Sequence, residues 1–584
     1  MWRAGSLSII MLMLCQLSLA QNINDQDAIL ALTGVSAVEE LDENELERLE
    51  GYLRHPIPIN VLSVSRLKET GLFTHYQTAS FDDYRSRHGD VLSFTELAGI
   101  EGFGSDFVRK ISPFVSLRSM APVGRSHGNK SFWNHDLTVR GGLKYKSSEA
   151  DKDNASCNYK YGLKYRLVNG NGFSFGLSAS RTYDAGHLMS GHLSWRFRRR
   201  EGQVVVGDFN ARFGQGLVLW NGMYMATLSS PSAFLRRSSG LSASSSFTGN
   251  SSFRGIACDV YFGRMRLSSM IASDAEDNYF SVKPAVNLSY FLRRGHISVT
   301  HFTDFKSQIY DLRIPAMKTS ADVGLCIRGM DIFCETAYDW VATSLSGVAG
   351  TIFRINDDLR MASMLRYFPE EYSTAISGEL SAGKWVKVNG MEGFGATIRR
   401  CSSTFLCDAA YYPGHDVPSP DFQIKISTDW MFMANSAFKM KIRVSERFRS
   451  EGKTFRTEIR TDFSYLSRYF NVNVRLDAVR CSGTGILGYA EGGYKTERFT
   501  SYVRGGIFLV DDWDDRIYVY ERDAPGSFNV PAFYGRGYWI AFYAKMSLMK
   551  SMKLYIRAGL TEYPFMKQFK PGKAELKLQM TLDF

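Results

Sequence analysis

No run of about 18 apolar residues occurs anywhere in this chain, and its mean hydropathy is −0.19, so a polytopic helical membrane protein is excluded. Net charge is also small, +11 over 584 residues. A disordered chain would carry more charge per residue and few aromatics, whereas 30 Tyr, 40 Phe and 9 Trp are available for burial here. The ten histidines are scattered without His-x-x-x-His or paired Cys–His spacing, so neither a zinc site nor a nucleophile–base pair is indicated. Proline is scarce, 15 residues against 51 glycines.

High glycine and aromatic content with a near-soluble mean hydropathy is the composition of a transmembrane β-barrel, whose strands alternate lipid-facing and lumen-facing residues. The end of the chain shows that alternation. Leu576, Leu578, Met580, Leu582 and Phe584 fall on one face, and Glu575, Lys577, Gln579, Thr581 and Asp583 on the other. A final strand ending on Phe584 resembles the C-terminal signal that the assembly machinery of bacterial outer-membrane barrels reads. At the other end, Arg3 precedes an apolar stretch from Leu7 to Leu14, and Ser18-Leu19-Ala20 offers small residues for cleavage, so residues 1–20 read as a signal peptide. A lipoprotein reading of Cys15 lacks the small residue expected at Leu14.

The period of two recurs upstream. Phe438, Met440, Ile442 and Val444 oppose Lys439, Lys441, Arg443 and Ser445, and Phe470, Val472, Val474 and Leu476 oppose Asn471, Asn473, Arg475 and Asp477. Arg or Lys on the lipid face near the bilayer midplane costs about 2–4 kcal/mol, so the charged face lines a wet interior. Residues 132–584 hold roughly 24 such segments, which predicts a large antiparallel transmembrane β-barrel of about 22–26 strands. An open barrel of more than about 20 strands would leak, so something fills it. Residues 208–252 lose alternation and are rich in Gly and Ser, which leaves two readings: an inward-folded segment or a long extracellular loop.

Residues 21–118 have a helical period, with Leu41, Leu46, Leu49 and Leu53 on one side of one helix and Leu97, Ile100, Phe103, Val108 and Ile111 as later core positions. A small all-α domain is therefore expected, joined to the barrel by a linker at 119–131. Between residues 22 and 118 stand 16 acidic and 9 basic side chains, a net −7. With Arg3 set aside, residues 119–584 carry +17.

The run Ile100-Glu101-Gly102-Phe103-Gly104 resembles the hairpin of helix-hairpin-helix modules, and Gly71-Leu72-Phe73 looks like a degenerate earlier copy. The resemblance implies a tight turn at Gly102, Phe103 and Gly104 whose free amides, with Arg109 and Lys110, meet a DNA phosphate. The acidic surroundings, including Glu101 and Asp106, disfavour DNA, because phosphate affinity comes mainly from Lys and Arg. A packing or protein-docking module is the favoured reading. Together with Gly89, Glu96-Leu97, Gly207-Asp208, Phe213-Gly214-Gln215-Gly216-Leu217, Trp220, Arg254-Gly255 and Arg516 to Glu521, the hairpin makes the chain resemble Gram-negative outer-membrane proteins known only as helix-hairpin-helix domain-containing. That label names a domain and no activity.

Other motifs carry less. Gly172-Phe173-Ser174-Phe175-Gly176 matches the serine-hydrolase elbow, yet no helix follows it. Gly483 to Gly488 matches a dinucleotide fingerprint but sits between two strand patterns, so a hairpin turn accounts for it better. Asp511, Asp512, Asp514 and Asp515 form a weak candidate loop for a hard cation, without the spacing of a known calcium loop. Seven cysteines follow the signal segment, an odd number. Cys401 with Cys407, and Cys326 with Cys334, are candidate disulfides.

No catalytic constellation and no cofactor are expected. The expected function is transport or assembly of an anionic substrate or polymer at the outer membrane. The basic lumen residues Lys439, Lys441, Arg443, Arg460, Arg475, Lys545, Lys553 and Arg557 would favour anions. Alternatives are DNA uptake through the hairpin module and a surface barrel enzyme. Expected partners are the outer membrane with its lipopolysaccharide, the barrel-assembly machinery and a periplasmic protein on the α domain.

Overall fold

In the computed structural model, the residues described are 25–34, 41, 43–118, 133–146, 156–169, 172–183, 186–197, 201–221, 234–247, 252–276, 279–308, 311–355, 359–369, 372, 391–400, 403–412, 421–433, 437–450, 453–527, 529–549, 551–566 and 570–584. The expected signal peptide and linker lie outside them.

From Trp133 to Asp583 the chain forms one closed antiparallel barrel of 24 wall strands, in which each strand pairs with its neighbours in sequence. The last, Lys573–Asp583, pairs with the first, Trp133–Lys146, and closes the ring. One short strand, Gly240–Ala243, is extra: it adds to Gly202–Arg212, which also pairs directly with Phe253–Phe262. Phe584 extends the closing ladder, exchanging backbone hydrogen bonds with His135 and stacking on its ring at 5.0 Å.

Alternation sorts the side chains as the period requires. Leu193, Ile256, Ile271, Leu288, Val299, Leu365, Ile459, Leu476, Val503, Ile540 and Leu578 are exposed on the outer face. Ser178, Ser190, Ser268, Asn287, Ser298, Thr300 and Ser320 are buried on the inner face. An apolar exterior on a closed ring of strands is the one β solution that satisfies every backbone group within lipid. Among the described residues no helix is long and apolar enough to cross a membrane.

Connections at one end of the barrel are short, such as 263–264, 293–294 and 328–329, while 213–252 and 511–534 are long and lie at the other end. Short turns mark the periplasmic end of such barrels. The chain enters and leaves the barrel at that end.

The N-terminal region has six helices among the described residues: α1 (Asp25–Thr33), α2 (Glu43–Arg54), α3 (Val64–Glu69), α4 (His75–His88), α5 (Phe94–Gly99) and α6 (Gly104–Ile111). Their apolar faces meet in one core that includes Leu46, Leu49, Leu67, Phe81, Leu97, Phe103 and Ile111, with Phe73, Phe103 and Phe107 in mutual ring contact. Buried Asn60 ties the ends of the module together, exchanging hydrogen bonds with the Val91 backbone and donating to the Leu117 carbonyl.

Two sequence readings of cysteine meet different outcomes. Cys326 and Cys334 form no disulfide. The hairpin register pairs Cys326 with Asp331 and Cys334 with Val323, so the two thiols project from opposite faces of the sheet. Cys407 is also free, and Cys401 lies outside the described residues.

Candidate functional site

The lumen is occupied from both ends. Of segment 208–252, the described parts turn inward: Phe213, Leu217, Val218, Leu219, Phe234 and Leu241 are buried in one apolar cluster with wall residues Phe302, Phe333 and Met364. Gly207-Asp208, Phe213 to Leu217 and Arg254-Gly255 lie together here, whereas Gly89 and Glu96-Leu97 belong to the helical module. Arg254 pairs with Asp208 at 2.8 Å, and Asp208 also accepts from the Gly191 amide. Gly207, at φ +102°, lies so close to the facing backbone that a Cβ would collide with the Gly191 carbonyl. Glu335, 1% exposed on the facing wall, accepts from the amides of Gln215 (2.6 Å) and Leu217 (3.2 Å) and so clamps the Gly-Gln-Gly turn. No sequence signal marks Glu335, because it lies 118 residues from the nearer amide it holds.

A second inward loop, 511–534, escaped sequence reading. Successive residues are bound to the wall: Glu521 to Arg557, Arg522 to Glu491 at 3.1 Å and Asp523 to Lys577 at 2.6 Å. The candidate cation loop begins this segment. Its carboxylates serve separate partners: Asp515 accepts from the amides of Cys481 and Gly483, both at 2.7 Å, Asp511 takes Thr484 and Arg536, and Asp514 lies beside Ser482. Among the described residues no group of three or more His, Cys, Asp or Glu is gathered for a metal.

The α module is seated in the short-turn end of the barrel. Glu47 of α2 meets Lys164 at 2.5 Å, Glu69 of α3 meets Arg196 at 2.9 Å, and Asp106 of α6 meets Arg360 at 2.7 Å. Burial alone would raise the Glu47 carboxyl, but Lys164 outweighs it and holds the group below its ordinary range. Lys68 of α3 sits 3.3 Å from the centre of the Phe291 ring, and burial, assisted by Arg266, brings its ammonium down to about 7. The module also meets both inward loops: Arg237 donates to the Leu72 carbonyl at 2.8 Å, and Tyr520 belongs to the helical core.

Helices α5 and α6 are joined by a tight turn in which Gly102 and Gly104 both have positive φ, +89° and +70°. Gln77 donates to the Gly102 carbonyl at 2.9 Å. Arg109 and Lys110 both bind Asp106, at 2.6 and 2.7 Å, on the same carboxylate that reaches Arg360 of the wall. Burial would raise the Asp106 carboxyl, but Lys110, Arg360 and Arg109 together hold it below its usual range. A Cβ at Gly102 would lie 2.8 Å from the Tyr76 ring. Gly102→Ala is therefore expected to destabilise the hairpin by about 1–3 kcal/mol through strain and contact together. Faster amide exchange confined to residues 94–111 would register this, and unchanged exchange would contradict it.

The basic wall residues divide into two sets. Arg557 and Lys553 lie beside acids, the former on Glu521 and Glu575, the latter 4.0 Å from Asp583. Lys545 stands opposite Thr500 and Tyr555 in register. The others form a sector on the inner face of the strands Asp421–Met433, Phe438–Arg449, Thr454–Leu466 and Phe470–Arg480. There Arg443 meets Asp429 at 3.0 Å and Lys441 meets it at 3.5 Å, while Arg475 and Arg460 share Asp462 at 2.6 and 3.1 Å. Lys439 faces Met433 and Ser464 in register. Cations still outnumber carboxylates, since Lys425, Arg447, Arg449 and Arg456 share this face. Lys425, Arg447 and Arg456 stand directly opposite one another across three strands, with Glu458 of the same face paired to Arg456 at 2.5 Å. No residue of the first three of these strands belongs to a buried apolar cluster, and the same holds for the six strands around the closure, Met552–Glu562, Lys573–Asp583, Trp133–Lys146, Ser156–Asn169, Phe173–Arg181 and His187–Phe197, which meet the plug and the inward loops through polar contacts instead.

No family model and no curated protein matches the chain. Among solved structures, OccAB3 of Acinetobacter baumannii aligns with a TM-score of 0.30 at 9% identity, over 77% of this chain and 99% of that one. The translocation pore of the P pilus usher PapC aligns at 0.37 and 9%, over 77% and 99%. The siderophore receptor PirA of Pseudomonas aeruginosa aligns at 0.39 and 10%, over 77% and 80%. At this level the likeness is one of barrel form and carries nothing about cargo.

Proposed function

We propose that this chain is a gated outer-membrane barrel that moves or assembles an anionic substrate or polymer, with the helix-hairpin-helix-like module serving as its periplasmic plug. The basic inner sector carries the reading. It is a part of the wall outside the apolar packing of plug and inward loops, touched by the second loop where Arg456 donates to the Arg516 carbonyl, and its excess of cations suits a path for anions. The partners that fit are the outer membrane with its lipopolysaccharide, the assembly machinery that would read Phe584, and a periplasmic protein able to draw the module from its seat.

The DNA-uptake reading is the weaker one. Its basic residues, Arg109 and Lys110, are committed to Asp106, and the surrounding module is acidic. Failure of the full-length protein to retard duplex DNA at low salt is the expected result.

The anionic reading is tested by reversal potentials in planar bilayers under a KCl gradient, on a variant opened by removal of the plug. Chloride preference is expected, and the combined substitution Lys441→Glu, Arg443→Glu and Arg475→Glu should invert it to potassium preference. Cation preference before substitution would overturn the assignment.

A further inference from the structure

A small, half-open cavity of about 50 Å³ lies where plug, first inward loop and wall meet. Thr74, His75 and Tyr76, at the N-terminus of α4, form one side. Arg236, Arg237 and Ser238 of the inward loop form the second, and Arg294, His296 and Asp331 of the wall complete it. A cavity needs about 10–15 Å³ to hold one water, so this one takes roughly four, the size of a single tetrahedral oxyanion.

The lining is strongly cationic. Arg237 is bound only by its donation to the Leu72 carbonyl and by a ring contact with Phe107, with no carboxylate within ion-pair distance among the described residues. Burial lowers its affinity for its proton, and Glu45 only partly offsets this. His75 places its Nε2 3.3 Å from Ser238 Oγ, while its Nδ1 is buried with no partner among the described residues. Its ring lies edge-on to His296 at 4.4 Å, and burial together with His296, Lys68 and Arg266 pushes its pKa well below the ordinary imidazole value. The opposing acids are few. Asp331 lines the cavity, Glu101 stands 4.0 Å from Arg294 at its rim, and Asp322 is already bound to His296 at 2.7 Å. Helix α4 adds its positive end. Thr74 and Gln77 form a reciprocal capping box there, which leaves the first two helical amides, those of His75 and Tyr76, for a ligand.

We propose that this cavity is a binding site for a phosphate-class oxyanion, held by Arg237, Arg294 and the N-terminus of α4, and that the bound anion ties the plug to the first inward loop. Arginine forks and helix amides are the donors that match a tetrahedral oxyanion. One anion here would bridge the amide end of α4, the arginine of the inward loop and the arginine of the wall turn.

The test is isothermal titration of the full-length protein in detergent and chloride buffer with inorganic phosphate, against sodium chloride of matched ionic strength. Saturable binding of one phosphate per chain is expected, weakened at least tenfold in Arg237→Gln and severalfold in Arg294→Gln. A response that chloride reproduces, or equal affinity in both variants, overturns the site. Arg294 is more than half exposed at a surface turn, so its variant keeps the test decisive if Arg237→Gln does not fold. Sulfate is the second arm: equal affinity would mean a general oxyanion site and would overturn the phosphate assignment.

Discussion

A chain lacking residues 25–118 is expected to conduct ions at least tenfold better than the intact protein in planar bilayers. The α module is seated in the short-turn end of the intact barrel, its Glu47, Glu69 and Asp106 each paired with a wall cation. The pairs are partly exposed, so each is worth less than the roughly 3–5 kcal/mol lost on breaking a fully buried one, but three together resist withdrawal of the module. Deletion takes away all three at once, together with the Lys68 contact on Phe291. What remains inside are the two inward loops, and each keeps its own anchors, Glu335 for the first and Glu491 for the second. The opening should therefore appear beside the strands 421–466, where neither loop packs an apolar cluster. A deletion variant that inserts and folds, yet stays as closed as the parent, would show that the loops alone seal the barrel.

How much of this the sequence discloses depends on the range of the interaction. Alternation is local, so Phe470 to Leu476 could be placed as a wall strand with the correct face inward from seven residues alone. Strand number follows by repetition. The turn at Gly102 and Gly104 is equally local, since a left-handed backbone selects glycine. The filling of the lumen is another matter. Lys164 is 117 residues from Glu47 and Arg360 is 254 from Asp106, so the seat of the module is set by pairs that no window of sequence contains. The run Arg516 to Glu521 has no local feature that explains its place in the resemblance. The reason is that Glu521 and its neighbours reach wall residues brought beside them only by closure of the ring. The same limit applies to the basic residues: Arg557 and Arg443 look alike in their strands, yet the second inward loop covers one and leaves the other facing the lumen.

Glu491→Ala should release the second inward loop. Glu491, 3% exposed, accepts from Arg504 at 2.6 and 3.0 Å through one oxygen and from Arg522 and Asn473, each at 3.1 Å, through the other. It is the only carboxylate that these two guanidiniums share among the described residues. Truncation leaves both cations side by side in a buried site, a loss of about 3–5 kcal/mol that falls on the loop, because Arg504 is fixed in the wall and Arg522 is free to leave. That energy corresponds to roughly a hundred- to few-thousand-fold rise in the open population of residues 511–534. Amide exchange and protease cleavage in that segment should accelerate by about the same factor, with little change in strands distant from the site. The cation–π contact of Arg522 with Tyr502, at 3.9 Å, retains a smaller part of the hold. Removing the second charge as well, in Glu491→Ala with Arg522→Ala, should recover part of the protection, since only Arg504 then lacks a counter-charge. If exchange in 511–534 is unchanged in the single variant, the loop is held instead by Glu521 on Arg557 and Asp523 on Lys577, and Glu521→Ala would show the larger effect.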